Sequence, residues 1–183
     1  MSEPQLPMVV NQQTGEVVSL PDEPLPPVSA DPYRGAGDAP YAEHICKVLS
    51  QDIPDEWLDI KPTGQVYLSH AHYRRILCEA FGQGGWALVP VGEPMLQEDM
   101  VYRTYRMFAM GRFAGEAMGE QRYNASNPEM TWGDALEGVR SNAVMRICKD
   151  LGVALRCWDR RRNEEWIKQH CLKVKVQKNR KDR

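Results

Sequence analysis

Residues 131–151 constrain the fold most, because they predict the strongest helix of the chain. Thr131 is a favourable N-cap, Asp134 stands at the third helical position, and Gly152 suits the position after the last turn. A helix with a single apolar stripe has to bury that stripe against a second layer of structure. The stripe consists of Trp132, Leu136, Val139, Ala143, Ile147 and Leu151.

The segments upstream of this helix predict an antiparallel sheet as the second layer. Residues 99–110 and 112–123 form the clearest hairpin, which turns near Gly111 and carries polar and apolar side chains on both faces. Further strands are predicted at 65–69 and 86–91, and further helices at 42–49 and 70–81. The order β-α-β-β-β-α predicts an α+β domain whose mainly antiparallel sheet packs on the long helix.

The two ends of the chain differ from the middle in composition. Residues 1–40 contain eight prolines, six acidic residues and one basic residue, a composition typical of disorder. Residues 41–172 form the predicted folded domain, and residues 173–183 a basic tail. From residue 156 onward, eleven basic residues stand against four acidic ones, which indicates either a solvated tail or a nucleic-acid patch. Charge alone leaves both interpretations open.

Several kinds of site and location are disfavoured. No apolar run is long enough to span a membrane, and the five cysteines form no CxxC pair, so we expect a cytoplasmic protein without a membrane partner. The glycine-rich run at 82–85 precedes a strand, whereas a phosphate-binding loop precedes a helix. His70 and His72 lack the further ligands that structural zinc needs. We therefore expect no ATP dependence and no cofactor.

Basic residues stand beside aromatic ones at several places in the sequence. Arg and Lys neutralise phosphates, and aromatic rings stack on unpaired bases without selecting a sequence. The repetition of this pairing on neighbouring predicted elements favours single-stranded nucleic acid as the partner. The groups are Tyr73 to Arg75, Tyr102 to Arg106, Arg146 with Lys149, and Trp158 to Arg162.

Two alternatives remain open. Paired carboxylates that hold magnesium would make the chain a metal-dependent nuclease acting on DNA, but the acidic residues lack the spacing of a two-metal site. The other alternative is a ring-forming scaffold that binds a protein partner. We favour a protein that is not an enzyme. The acidic residues concerned are Glu116, Glu120, Glu129, Asp134 and Glu137.

Several motifs in register resemble the mitochondrial genome maintenance family. The likeness covers roughly residues 55–172 at near-constant spacing, and its densest part runs from Glu137 to Gly152 and on to Trp158 and Asp159. The other matching runs are residues 60–68, 73–77, 80–90 and 119–123.

The family looks like a branch of the single-strand annealing superfamily, which includes the eukaryotic recombination mediator and the phage RecT and lambda beta proteins. The resemblance implies a β-β-β-α core assembled into an oligomeric ring, with single-stranded DNA in a continuous groove. It also implies ATP-independent annealing of complementary strands in recombination and repair. The expected partners are single-stranded DNA, the annealed duplex and further copies of the chain. An exonuclease or a single-strand-binding protein is a further candidate.

The resemblance also suggests which residues contact DNA. The superfamily pattern transfers to His72, where a relative has Arg, and to Arg146 and Lys149, which we expect to share one face of the long helix. Because the acidic, proline-rich residues 1–40 do not look like a mitochondrial presequence, we expect a bacterial or phage member of the family. The full candidate set is Lys61, His72, Arg74, Arg75, Gln83, Arg103, Arg106, Arg140, Asn142, Arg146 and Lys149.

Overall fold

The computed structural model describes residues 9–10, 17–18, 31–61 and 63–172, and the chain forms two units, Met1–Pro32 and Tyr33–Arg183. In the first unit, β1 (Val9–Val10) pairs antiparallel with β2 (Val17–Val18). The other residues of the predicted disordered segment up to residue 30, and the predicted basic tail 173–183, lie outside the described ranges.

The second unit contains four helices, five strands and two short 3-10 turns in its described part. In chain order these are α1 (Glu43–Leu49), a 3-10 turn (Asp55–Trp57), β3 (Leu58–Ile60), β4 (Val66–Leu68), α2 (His70–Phe81), β5 (Trp86–Gln97), β6 (Met100–Ala109), β7 (Arg112–Arg122), α3 (Trp132–Asp150), a 3-10 turn (Leu155–Trp158) and α4 (Arg160–His170). None of the helices in the described ranges has the length and apolar character that a membrane crossing needs.

The main sheet is an antiparallel meander in the order β5-β6-β7, and α3 packs across β6 and β7. This arrangement confirms the predicted α+β class and the β-β-β-α core. The hairpin also lies where it was predicted. Strand β5 continues beyond the predicted end at residue 91, past a register irregularity between Val91 and Met95.

Small residues on β7 allow α3 to approach the sheet closely. Gly115, Ala117 and Gly119 lie opposite Met107, Tyr105 and Arg103 of β6, on alternate positions of the strand. A methyl group added at Gly119 would overlap the carbonyl oxygen of Val139, and one at Gly115 would lie 2.8 Å from Cγ2 of Ile147. The helix backbone therefore rests on β7 where the strand has no side chain.

Both long helices begin next to a side chain that caps them, as the sequence predicted for α3. The Ser69 hydroxyl accepts a hydrogen bond from the Ala71 N–H before α2. At α3, Oγ1 of Thr131 accepts from the Asp134 N–H at 3.1 Å, and the Asp134 carboxylate accepts from the Thr131 N–H at 2.8 Å. The two bonds form a capping box, which satisfies two backbone N–H groups at the helix start.

The buried face of α3 differs in part from the predicted stripe. Trp132 is 37% exposed and packs edge-on against Tyr123, and Leu136 and Leu151 are only half-buried. The stripe was placed too far round the helix because a sheet on one side and α2 on the other bury two adjoining rows of side chains. The buried residues are Ala135, Val139, Ala143, Val144, Ile147 and Cys148.

Besides the 3-10 turns, one strand and one helix of the second unit were not predicted. Strand β3 pairs antiparallel with β4, so the strand predicted at 65–69 belongs to this separate hairpin and not to the main sheet. Helix α4 lies within the segment that was described as a basic end, and it buries Trp166 against the core. Leu58 of β3 and Trp166 of α4 belong to the same buried cluster as residues of α1, α2 and the end of α3.

The packed part of the second unit begins before residue 41. The Phe113 N–H donates a 3.0 Å hydrogen bond to the carbonyl oxygen of Arg34, and Arg112 donates to the carbonyl oxygen of Ala39 at 2.6 Å. The Arg112 guanidinium also lies 3.9 Å from the centre of the Tyr41 ring. Residues 34–39 therefore lie alongside the start of β7.

Candidate nucleic-acid interface

Three of the predicted DNA-binding arginines are held by carboxylates of a neighbouring helix or strand. Arg74 of α2 lies 2.7 Å from the carboxylate of Glu137 on α3, and the pair joins the two helices. Arg106 of β6 pairs with Glu116 on β7 across the sheet, and this contact raises the pKa of the guanidinium.

The third of these arginines, Arg146, lies 2.6 Å from the carboxylate of Glu120 and donates a 2.9 Å hydrogen bond to the carbonyl oxygen of Met118. A phosphate would have to displace a carboxylate to reach any of the three.

The remaining predicted side chains outside the groups described below either contact other groups of the fold, are buried, or lie in a turn. Arg103 donates two hydrogen bonds to the carbonyl oxygen of Gly92, where β5 is irregular. Arg140 lies 3.6 Å from the carboxylate of Glu137 on its own helix. Oδ1 of Asn142 is buried and has no hydrogen-bond partner among the described residues. Gln83 is exposed in the turn between α2 and β5.

A first cation–aromatic cluster forms around Trp57. The imidazole of His72 stacks on the indole, with ring centres 4.4 Å apart and planes 16° from parallel. The Arg75 guanidinium lies 5.0 Å from the centre of the same indole. Both side chains extend from the start of α2, and Trp57 ends the 3-10 turn before β3. Arg75 is exposed and has no acidic partner in the described part of the chain.

A second group lies on the outer side of the β3–β4 hairpin. The Lys61 ammonium lies 5.5 Å from the centre of the Tyr67 ring, and the Tyr67 hydroxyl donates a 3.1 Å hydrogen bond to Asp59. This hydrogen bond raises the pKa of the phenol. Leu58, Val66 and Leu68 of the same hairpin are buried, so the alternation of the two strands places the polar residues outside.

A third group lies where α3 ends. The Lys149 ammonium is 4.9 Å from the centre of the Trp158 indole, which ends the second 3-10 turn. Trp158 lines one pocket together with Lys61 and Tyr67, so the second and third groups are neighbours. We call these residues the cation–aromatic surface: Trp57, Lys61, Tyr67, His72, Arg75, Lys149 and Trp158.

The structure thus divides the predicted set. His72 and Arg75 both contact the indole of Trp57. Lys61 lines the same pocket as Trp158, which Lys149 contacts. We expected Arg146 and Lys149 to act together. In the structure Arg146 contacts the edge of β7, whereas Lys149 contacts Trp158. Trp57 and Tyr67 were missed, although Trp57, Asp59 and Lys61 alternate with apolar residues in the sequence and could have indicated an outward strand face.

Four of the five carboxylates considered for a nuclease site are engaged elsewhere. Glu116, Glu120 and Glu137 pair with arginines, and Asp134 caps α3. Within the described ranges, no three His, Cys, Asp or Glu side chains gather so that they could hold a metal ion. Among the thiols, burial raises the pKa of Cys148 to about 12 and also raises that of Cys157.

A three-stranded antiparallel meander backed by one long helix makes this an α+β protein with a β-β-β-α core. The chain belongs to the mitochondrial genome maintenance family, because the family model described as Mitochondrial genome maintenance MGM101 matches residues 29–183. Sequence similarity to individual members agrees with this assignment. The Mitochondrial genome maintenance protein MGM101 of Candida parapsilosis is 41% identical over 148 residues, which are 81% of this chain and 55% of that protein.

Two further relatives extend the likeness beyond that genus. The Schizosaccharomyces pombe protein of the same name is 41% identical over 145 residues, 79% of this chain and 53% of its own length. The Dictyostelium discoideum mgm101 homolog is 40% identical over 129 residues, 70% of this chain and 34% of its own length. The chain thus spans about half the length, or less, of the curated relatives it matches.

These relatives correct one prediction from the sequence. They are eukaryotic proteins named for the mitochondrial genome, so the cytoplasmic location was wrong, and a bacterial or phage origin finds no support in them. The cytoplasmic location rested on the lack of a membrane-spanning run and of a CxxC pair, and the bacterial or phage origin rested on the composition of residues 1–40. That composition carries no information about the folded domain, on which most of the similarity lies.

Proposed function

We propose that this chain binds single-stranded DNA and anneals complementary strands without ATP, as part of mitochondrial genome maintenance. The names of its relatives support a role in maintaining mitochondrial DNA and, with it, a mitochondrial location. The chain acts in this proposal by binding alone and catalyses no covalent step.

The observation that carries the proposal is the cation–aromatic surface. Lys61, Arg75 and Lys149 each lie over an aromatic ring, and none of them has an acidic partner in the described ranges. Unpaired cations are available to phosphates, and the adjoining rings offer faces to unpaired bases. Arg74, Arg106 and Arg146, by contrast, are already neutralised by carboxylates. Single-stranded DNA fits this combination better than a partner protein does.

Annealing places a second requirement on the surface. The backbone has to be held at several phosphates while most base edges remain free to pair. Self-assembly in a ring meets it, because many weak contacts then act on one strand. Val89, Met95 and Met118 are exposed on the face of the sheet opposite α3, and contacts between copies of the chain would bury them.

An annealing assay with two complementary oligonucleotides tests the proposal, without ATP and without divalent metal. The wild-type protein should accelerate pairing, and the Lys61→Gln, Arg75→Gln double variant should lose most of that acceleration. Arg122→Gln is the matched control, because Arg122 is an exposed arginine at the far end of the hairpin, paired with Asp99. Wild-type pairing no faster than the spontaneous rate, or strand cleavage when magnesium is added, would contradict the proposal.

Light scattering tests the assembly separately. The proposal predicts a particle several times heavier than the 20.9 kDa chain, with and without DNA. A monomer under both conditions would exclude a ring and leave only the binding part of the proposal.

A further inference from the structure

Trp158 is a large aromatic side chain held at the surface between two cavities. It is 44% exposed at the end of the second 3-10 turn. One cavity lies towards Lys61 and Tyr67, and the other lies towards Arg160 and Asn163 of α4. Gln65, Val66 and Cys157 border both cavities. The indole therefore stands in a groove between the β3–β4 hairpin and the start of α4.

Cations flank the indole along this groove. The Lys149 ammonium lies 4.9 Å from the ring centre, and Lys61 lines the cavity on one side. Arg160 lines the cavity on the other side, where its side chain is 91% exposed and pairs with Glu164 one turn further along α4. An exposed pair of this kind contributes little to stability, so a phosphate can compete for Arg160.

We propose that Trp158 is a stacking site for one unpaired nucleobase, with Lys61 and Lys149 binding the phosphates on either side of that nucleotide. This inference rests on the proposed binding of single-stranded DNA and assigns the residues that contact one nucleotide of the bound strand. An indole face accepts any base, because every base has a π-face. Exposed Gln65 lies beside the indole and offers an amide to the edge of the base. A phosphate alone would require only the cations and would not require the ring.

Base stacking on Trp158 would also affect annealing. A base stacked on Trp158 is withdrawn from pairing, so the incoming complementary strand has to release it. Since stacking does not depend on sequence, Trp158 should strengthen binding to all single strands and favour none strongly. It should also favour single strands over duplex, whose bases are already stacked on one another.

The test compares two strands of equal length and charge, oligo-dT and an abasic oligomer that keeps every phosphate. The wild-type protein should bind oligo-dT more tightly. Trp158→Leu should lower the affinity for oligo-dT by about fivefold or more, since stacking on one aromatic side chain typically contributes at least that factor per base, and it should leave the affinity for the abasic strand unchanged. Trp158→Phe should retain most of the affinity for oligo-dT. Trp132→Leu is the matched control, because Trp132 is 37% exposed and lies at the other end of α3.

Each outcome separates the inference from the proposed function. Equal affinities of Trp158→Leu and wild type for oligo-dT, or equal losses on both strands, would overturn the inference and leave DNA binding intact. Failure of the wild-type protein to bind either strand would overturn the proposed function instead.

Tryptophan emission gives a second measurement that does not depend on the stability of the Leu variant. Oligo-dT should quench emission of the wild type more than that of Trp158→Phe. Equal quenching in the two proteins would also overturn the inference.

Discussion

Arg146 of α3 and Glu120 of β7 form an ion pair 2.6 Å long at the edge of the main sheet. The same guanidinium donates to the carbonyl oxygen of Met118, so one side chain fastens the helix to both the backbone and a side chain of the edge strand. Arg146 therefore has a structural task. Lys149, one turn later, has no carboxylate partner in the described ranges and lies over Trp158.

The first prediction concerns this contact. Arg146→Met should lower the free energy of unfolding by about 1 kcal/mol, because it removes a half-exposed ion pair and a hydrogen bond to the backbone. Urea denaturation measures the change, and Glu120→Gln should show a smaller loss in the same direction. The salt dependence of binding to single-stranded DNA should stay as in wild type. Unchanged stability together with a shallower salt dependence would show that Arg146 contacts DNA and not Glu120.

The second prediction concerns the close packing of α3 on β7. Gly119→Ala should destabilise by about 3 kcal/mol or more, since the added methyl group would overlap the backbone of Val139, which cannot move aside without shifting the helix. Gly115→Ala should cost less, because its methyl group meets the side chain of Ile147 and not the backbone of the helix. Chemical denaturation of both variants measures their free energies of unfolding and shows which variant is less stable.

Gly133→Ala is the control for these substitutions. A methyl group there would lie 3.6 Å from Oγ1 of Thr131, which is an ordinary contact, and alanine favours the helix over glycine. Its stability should equal or exceed that of wild type. Equal stabilities of Gly119→Ala and Gly115→Ala would contradict the proposed packing.

The third prediction is a pH dependence from the capping box. Hydrogen bonds from Thr131 lower the pKa of the Asp134 carboxyl in the folded protein. A lowered folded-state pKa stabilises the fold above the ordinary Asp pKa of about 3.9, and this contribution disappears as the pH falls through the folded-state value. Thermal unfolding should therefore show Asp134→Asn less stable than wild type near neutral pH, with the difference shrinking in acid. A difference that stays constant down to about pH 3 would contradict a contribution from the carboxylate charge.

The local rules of the sequence were sufficient for helices α2 and α3 and for the β6–β7 hairpin. Helix α2 begins and ends where its apolar spacing predicts, and the hairpin around Gly111 lies as expected. Strand β3 has only three residues, too few to show an alternation by themselves. Helix α4 buries one aromatic side chain, Trp166, so its apolar periodicity is weak and its charge dominated the interpretation.

The site could be predicted only in part, because the partner of each cation is distant in sequence. Glu137 lies 63 residues after Arg74, and no local pattern connects them. Arg74 and Arg75 therefore look equivalent in the sequence, although one joins two helices and the other lies over Trp57. The cluster of Trp57, His72 and Arg75 likewise requires the β3–β4 hairpin, which only the structure revealed.

The fourth prediction and most direct measurement uses these two adjacent arginines. The slope of log affinity for oligo-dT against log salt concentration counts the phosphates that the protein neutralises, at approximately 0.7 for each contact on single strands. Arg75→Gln should make the slope shallower by about that amount for each copy in contact with the strand and leave the thermal stability unchanged. Arg74→Gln should lower the stability and keep the wild-type slope. A wild-type slope for Arg75→Gln, with a shallower one for Arg74→Gln, would contradict DNA binding at the cation–aromatic surface.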